Sequence, residues 1–284
     1  MDELSQVDLA FCVDLTNSMA PFLRAAQQHV VRILEGLRAT ARADLRVAIV
    51  GYRDHAHEQD GSPTEAHDFT DDAQSTRDAL FALRIGSPPG NTDAAEAVVA
   101  GLVACVQQLA WRPQSYRVLV LVGDGPPHAC GADAQPWPDR FTERDPSGSS
   151  LEEIADELAH RWTIVHAMGM VPSSIVQHDA VLERTFRRLA EVTDGAWYPA
   201  RDAGAAMLVV EAVARKVFSD VEIDRQVWVQ LAQSYEAADA EAPAASFGAT
   251  HAAPAAPAMM AVPGAAPAAV QASVARLHKR GLVK

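Results

Sequence analysis

The sequence predicts an α/β fold: an open, mostly parallel, doubly wound (Rossmann-like) sheet flanked by helices. Three observations predict it. Short apolar runs of strand length alternate with longer segments of helical periodicity, the pattern of a parallel sheet with helices on both faces. The run Val118-Leu119-Val120-Leu121-Val122 is apolar at every position, so neither face is meant for water and the strand belongs in the middle of the sheet. Capping residues stand where helical patterns start: Thr70 before one, and Ser150 with Glu153, spaced as a capping box, before another.

In chain order, strands are expected at Val7 to Asp14, Leu45 to Tyr52, a weaker His67 to Thr70, Arg117 to Val122, Thr163 to Met170 and the short Ala196 to Tyr198. Helices are expected at Met19 to Ala41, Asp71 to Leu83, Asp93 to Ala110, Leu151 to His160, Ala180 to Val192 and Ala203 to Phe218. This body, residues 1–218, is followed by an amphipathic helix over 219–235, where Val227, Trp228, Leu231 and Tyr235 recur at helical spacing. Over 236–269 the composition shifts to Ala and Pro, with too few large apolar residues for a core, and a disordered linker is expected. Residues 270–284 regain helical character, with Val270, Val274 and Leu277 on one side and Arg276, Lys279, Arg280 and Lys284 in a basic cluster. That tail reads as a solvated segment or as a docking peptide for a second partner or for the acidic body of another copy.

Across 284 residues, 49% are hydrophobic and 21% charged, enough to bury one sizeable core. A formal charge of −13 disfavours a nucleic-acid partner, because such proteins neutralise phosphates with Lys and Arg. An acidic surface attracts divalent cations instead. The amino end, Met1-Asp2-Glu3, is unlike a secretory signal, and no apolar stretch approaches membrane-spanning length, so no membrane partner is expected. Cys12, Cys105 and Cys130 are odd in number and widely spaced, which suits buried thiols in a reducing compartment and points to the cytoplasm.

The strongest chemical feature is Asp14-Leu15-Thr16-Asn17-Ser18-Met19, where the first strand should end and the first long helix begin. Ligands of open parallel sheets bind at that carboxyl edge. A carboxylate and two hydroxyls at alternate positions of a tight loop can converge on one hard cation, since Mg²⁺ takes oxygen ligands. By itself the pattern is weak, because the same residue types cap helices and make turns. Two further loops strengthen it: Thr92 in Gly90-Asn91-Thr92-Asp93, and Asp124 in Gly123-Asp124-Gly125 directly after the buried strand, both belong at the same edge.

With these residues in place the sequence resembles the von Willebrand factor A family, whose metal ion-dependent adhesion site combines Asp-x-Ser-x-Ser after strand one, a Thr in a later loop and an Asp after the central strand. The resemblance maps Asp14, Thr16 and Ser18 onto the first element, Thr92 onto the second and Asp124 onto the third, with Thr16 keeping the hydroxyl of the usual Ser. It covers about Val7 to Phe218. Gly51-Tyr52-Arg53-Asp54-His55, Phe69-Thr70-Asp71-Asp72, Asp93-Ala94-Ala95-Glu96-Ala97, Trp111 and Asp124-Gly125-Pro126-Pro127-His128 are similar to the intracellular branch, including the domains attached to alpha-kinases, although no kinase is present. Gly123 departs from relatives, which often carry a small hydroxyl residue or Ala there. The resemblance implies one Mg²⁺, with Mn²⁺ or Ca²⁺ as alternatives, hydroxyls ligating directly and acidic groups largely through water, and a position open to an Asp or Glu of a protein partner.

Other residues belong to the same edge. Arg53 and His55 follow the second strand and are candidates for partner contact, against the reading that an Arg53–Asp54 ion pair braces the loop. Asn17, Asn91 and His128 are further candidates beside the metal loops. The long loop from Pro126 to Ser149 carries Trp137, Asp139, Arg140 and Phe141, which would give specificity beside the metal, against the reading that Trp137 and Phe141 simply pin the loop to the body. His55, His57, His67, His128 and Cys130 match no closed zinc motif. The expected function is therefore a non-enzymatic, Mg²⁺-dependent protein-interaction module, an adaptor or regulatory component of the multi-protein stress or defence systems in which bacterial relatives work. Two alternatives are a metal-dependent hydrolase or phosphoryl-transfer enzyme, which lacks Asp-x-Asp, Gly-x-x-x-x-Gly-Lys-Ser/Thr and Gly-x-Ser-x-Gly here, and a metal-free scaffold that binds through its tail.

Overall fold

A computed structural model describes residues 5–40, 43–55, 62–86, 93–135, 137–241 and 262–282. Six strands form one sheet: β1 (Gln6–Asp14), β2 (Asp44–Tyr52), β3 (Thr64–Thr70), β4 (Tyr116–Gly123), β5 (Thr163–Met170) and β6 (Trp197–Ala200). Their order is β3-β2-β1-β4-β5-β6, all parallel except β3, which runs antiparallel at one edge. The order reverses between β1 and β4, the switch point at which loops part and leave a crevice.

Alternation along the central strands builds two cores. Val7, Leu9, Phe11 and Val13 of β1 and Val118, Val120 and Val122 of β4 face one side, while Ala10, Cys12, Leu119 and Leu121 face the other. The first side is covered by α1 (Ala20–Thr40), α2 (Ala73–Ala82) and α6 (Ala203–Glu241), the second by α3 (Val98–Gln107), α4 (Leu151–His160) and α5 (Asp179–Val192). A last helix, α7 (Pro267–Lys279), lies on the outer part of α6. The three cysteines are free thiols, Cys12 and Cys105 buried and Cys130 half-buried. Among the described residues no helix is long and apolar enough to cross a membrane.

Local chemistry explains where the elements match expectation and where they differ. The capping box of α4 forms as the spacing predicts: Ser150 Oγ accepts from the Glu153 amide and the Glu153 carboxylate from the Ser150 amide. Thr70 is not the cap of α2. Asp72 takes that role by accepting from the Ser75 amide at 2.7 Å, while Thr70 Oγ1 accepts from the Asp72 amide, so the helix starts at Ala73. Helix α3 starts at Val98 rather than Asp93, because the preceding residues pair sideways: the Glu96 amide donates to the Pro126 carbonyl and the Ala97 amide to the Arg53 carbonyl, both at 2.9 Å.

The separate helices expected over 203–218 and 219–235 are one 39-residue helix. Nothing at Ser219-Asp220 breaks it, the Lys216–Asp220 ion pair bridges the junction at 2.6 Å, and buried Val210, Val213, Val217, Val221, Asp224, Val227 and Leu231 continue one stripe without a phase break. Helix α6 reaches Glu241 and α7 begins at Pro267, both inside the span expected as linker; the rest of that span, 242–261, lies outside the described residues. The basic face of the tail is turned onto this chain's own body. Arg276 binds the buried Asp224 at 2.6 Å, Lys279 binds Asp194 at 2.8 Å, and Val270 and Leu277 pack with Val227 and Leu231; Lys284 is not among the described residues.

Candidate functional site

The end of β1 delivers Asp14 to the crevice, fully buried because β2 and β4 flank it. Its Oδ1 accepts from the Thr16 amide at 2.7 Å and from Thr16 Oγ1 at 2.6 Å, closing the tight loop before the 3₁₀ turn Asn17–Met19. Thr16 Oγ1 lies 3.4 Å from Ser18 Oγ, and Ser18 Oγ donates to Asp124 Oδ1 at 3.0 Å. Asp14, Thr16, Ser18 and Asp124 thus form one chain of contacts from two loops. Thr92 and Asn91 lie outside the described residues. The segment that resumes at Asp93 runs beside the Asp124 loop through a bridge between Glu96 and Pro127.

The electrostatics of this edge are those of crowded acids. Burial, and then the charge of Asp124, push Asp14 up to about 8, and burial likewise raises Asp124. Glu96, buried and facing Asp14, Asp54, Asp124 and Asp93, is raised well above the usual carboxylate range, first by burial and then by those neighbours. Asp14 Oδ2 and Glu96 Oε2 are buried with no hydrogen-bond partner. A buried, unsatisfied oxygen costs roughly 1–3 kcal/mol and more when charged. Carboxylate and hydroxyl oxygens around a bare carboxylate oxygen are the donor set that a hard cation takes, so the residues present fit Mg²⁺.

Two glycines let the strands and loops close on this edge. A Cβ at Gly123 would stand 2.3 Å from the Tyr52 hydroxyl, which donates to the Val122 carbonyl, and a Cβ at Gly125 would stand 2.5 Å from Glu96 Cγ. The Tyr52 hydroxyl thus fills the space that a side chain at Gly123 would need.

The remaining candidates divide by where their side chains go. Asn17 and Ser18 are exposed at the crevice, and Trp137 is 43% exposed on the long loop. Arg53 does not pair with Asp54; its guanidinium donates to Glu65 at 3.1 Å and to the Arg84 carbonyl at 2.6 Å, tying the β2 end to β3 and the stretch after α2. Asp54 serves a different network. His128 is fully enclosed, with Nδ1 2.7 Å from Asp139 and Nε2 2.7 Å from Asp54, while Arg140 donates to Asp54 at 2.6 Å and to the His55 carbonyl at 3.0 Å. His55 faces Asp145, and Phe141 sets its ring edge-on to His128 and His55. His55, His128, Arg140 and Phe141 therefore pin the long loop to the body.

Asp93, His128 and Asp139 lie close enough together to share a metal. Both ring nitrogens of His128 are, however, committed to carboxylates. Burial alone would lower its pKa, but the bonds to Asp139 and Asp54 outweigh burial and raise it to about 9, so with no metal bound the ring is protonated between its two carboxylates. Sequence reasoning assigned no role to Tyr52, Glu96 or Asp145, and it read Asp139 as a specificity residue of the long loop, whereas its carboxylate holds His128 and the Ala129 and Phe141 amides. Glu96 stood in the Asp93-Ala94-Ala95-Glu96-Ala97 motif, but helical reading of that segment hid its turn toward the crevice.

No family model matches the chain. It is 26% identical over 153 residues to the alpha-protein kinase vwkA of Dictyostelium discoideum, a match covering 54% of this chain and 23% of that protein, so the chain spans about a quarter of its curated relative. Among solved structures it resembles proximal thread matrix protein 1 of the mussel byssus, at 12% identity and a TM-score of 0.53, over 76% of this chain and 47% of that one. It also resembles the von Willebrand factor type A protein from Catenulispora acidiphila, at 14% identity and a TM-score of 0.49, over 75% and 42% of the two chains. The doubly wound sheet, its single antiparallel edge strand and the acidic crevice at the switch point are the arrangement that the resemblance to the von Willebrand factor A family implies.

Proposed function

We propose that the crevice between β1 and β4 holds one divalent cation, Mg²⁺ by its all-oxygen donor set, and that the protein uses it to bind a partner protein through an Asp or Glu. Asp14 and Asp124 supply the charge, Thr16 and Ser18 the hydroxyls, and Thr92 the remaining side chain, with Mn²⁺ or Ca²⁺ able to substitute. A cation held by so few carboxylates keeps electrophilic character for an incoming carboxylate. The observation that carries this reading is Asp14 Oδ2, a buried carboxylate oxygen with no partner beside a second carboxylate and two hydroxyls. Asn17 and Trp137, exposed near the crevice and on the long loop, are the contact points for the partner, and His55, His128, Arg140 and Phe141 hold that loop in place.

The protein acts as a non-enzymatic adaptor or regulatory component within a multi-protein system, the role that the resemblance to the intracellular branch implies. Calorimetric titration of Mg²⁺ and Mn²⁺ into the protein and its Asp14→Ala variant tests the cation seat. Heat is expected for the wild type and none for the variant; no heat in either overturns the proposal. A pull-down with and without EDTA should capture an acidic-motif partner only when metal is present. Metal-stimulated phosphatase or ATPase turnover in the same samples would overturn the non-enzymatic assignment.

A further inference from the structure

At the other edge of the sheet, where β4 and β5 begin, a cavity of about 470 Å³ opens between the body and the tail helix α7. That volume suits a small organic ligand. The lining is basic in a chain whose formal charge is −13. Arg117, Lys216, Arg276, Lys279 and Arg280 face the space, against only two carboxylates, Asp194 and Asp220.

Existing contacts answer these five cations with three carboxylates, Asp194, Asp220 and Asp224, and leave the wall an excess of positive charge. Lys216 pairs with Asp220 at 2.6 Å and Lys279 with Asp194 at 2.8 Å, while Arg276 reaches past the cavity to Asp224, which Arg280 also approaches at 3.6 Å. Arg117 donates to the backbone carbonyls of Arg112 and Arg161, at 2.9 and 3.1 Å, which carry no formal charge. Cations gathered on a concave wall repel one another and focus a positive potential into the space they enclose.

A further polar group is left waiting. His166 of β5 is 4% exposed and lines the cavity, and its Nδ1 is buried with no hydrogen-bond partner. Burial and the nearby Lys216 lower the ring to about 4, so it is neutral at physiological pH and can donate or accept one hydrogen bond. The rest of the wall is apolar, formed by Trp162, Ile164 and the α7 alanines 272 and 275.

We propose that this cavity binds a phosphate-bearing small molecule, its phosphates held between Lys216 of the body and Lys279 of α7 and its remainder against Trp162 and Ile164. Because Arg276, Lys279 and Arg280 come from the tail, the ligand fastens the tail to the body. The site lies at the opposite edge from the metal crevice and does not depend on it.

The experiment is calorimetric titration of ADP and of inorganic pyrophosphate into the full chain, in EDTA so that the metal edge plays no part. Lys216 and Lys279 have side chains 54% and 41% exposed, so Lys216→Gln with Lys279→Gln removes two surface ion pairs only, and hydrogen-exchange protection of α7 equal to wild type in the ligand-free double variant shows that the tail stays docked. At least one probe is expected to bind, with affinity at least tenfold weaker in the double variant, and bound probe should slow hydrogen exchange along α7. Tighter binding of ADP assigns the apolar wall to a nucleoside; equal binding assigns the site to the phosphates alone. Absence of heat with both probes, or an affinity unchanged by the double variant, overturns the proposal.

Discussion

Single residues at the crevice are constrained by contacts that their neighbours in sequence do not reveal. At Gly123 the space for a Cβ is taken by the Tyr52 hydroxyl, 2.3 Å away. Gly123→Ala is expected to destabilise the protein by about 1–3 kcal/mol through overpacking. Adding Tyr52→Phe should recover part of that loss, as urea unfolding of the single and double variants would measure. His128 makes a pH prediction. Its pKa is raised from 6.5 to about 9 in the folded protein, so its contribution is fully present below pH 6.5 and is lost as pH rises through about 9. The loss is on the order of 3 kcal/mol, because each tenfold gain in proton affinity on folding is worth about 1.4 kcal/mol. Denaturant midpoints from pH 6 to 10 should fall in the wild type, and His128→Gln should be less stable at pH 6 with a flatter profile. His128 itself was legible as a residue of interest because it follows Asp124-Gly125-Pro126-Pro127. Its inward role was not, since Asp54 and Asp139 reach it from 74 and 11 residues away.

Elements were legible to the extent that local pattern decides them. Strand β5 matched residue for residue, and the α4 cap formed, because alternation and a four-residue box are local. Helix α3 begins at Val98, later than its pattern suggests, because backbone pairing of Glu96 and Ala97 with distant carbonyls took precedence over helical propensity. The joining of α6 and α7 rests on the ion pair of Arg276 with Asp224, which is wholly buried and whose pKa burial raises despite the guanidinium. Removing one partner of a buried pair leaves the other charge stranded at about 3–5 kcal/mol, whereas replacing both with apolar residues is close to neutral. Asp224→Ala should therefore release α7, seen as loss of hydrogen-exchange protection over 267–279, while Asp224→Leu with Arg276→Met keeps it protected.

For the whole molecule, the crevice concentrates carboxylates that the fold alone leaves unsatisfied, so stability should respond to a cation. At a Mg²⁺ concentration about one hundred times its dissociation constant, unfolding is expected to cost about 2.7 kcal/mol more than in EDTA. The Asp14→Ala variant should show no such gain, because the carboxylate with the bare Oδ2 has been removed. Thermal unfolding of both proteins with and without Mg²⁺ checks this. A wild type indifferent to Mg²⁺ at every concentration would leave the crevice without a cation.

The sequence by itself determined the layered α/β class, the central place of Val118 to Val122 and the presence of Asp14, Thr16, Ser18 and Asp124 on strand-end loops. Each follows from periodicity or from a motif a few residues long. Only the tertiary structure decided that Asp14 is sealed in with one bare oxygen, that Glu96 joins it, that His55 and His128 turn inward, and that the basic tail folds back over a cavity of its own chain. Those outcomes depend on burial and on partners far apart in sequence, because desolvation and ion pairing are set by what surrounds a group in space.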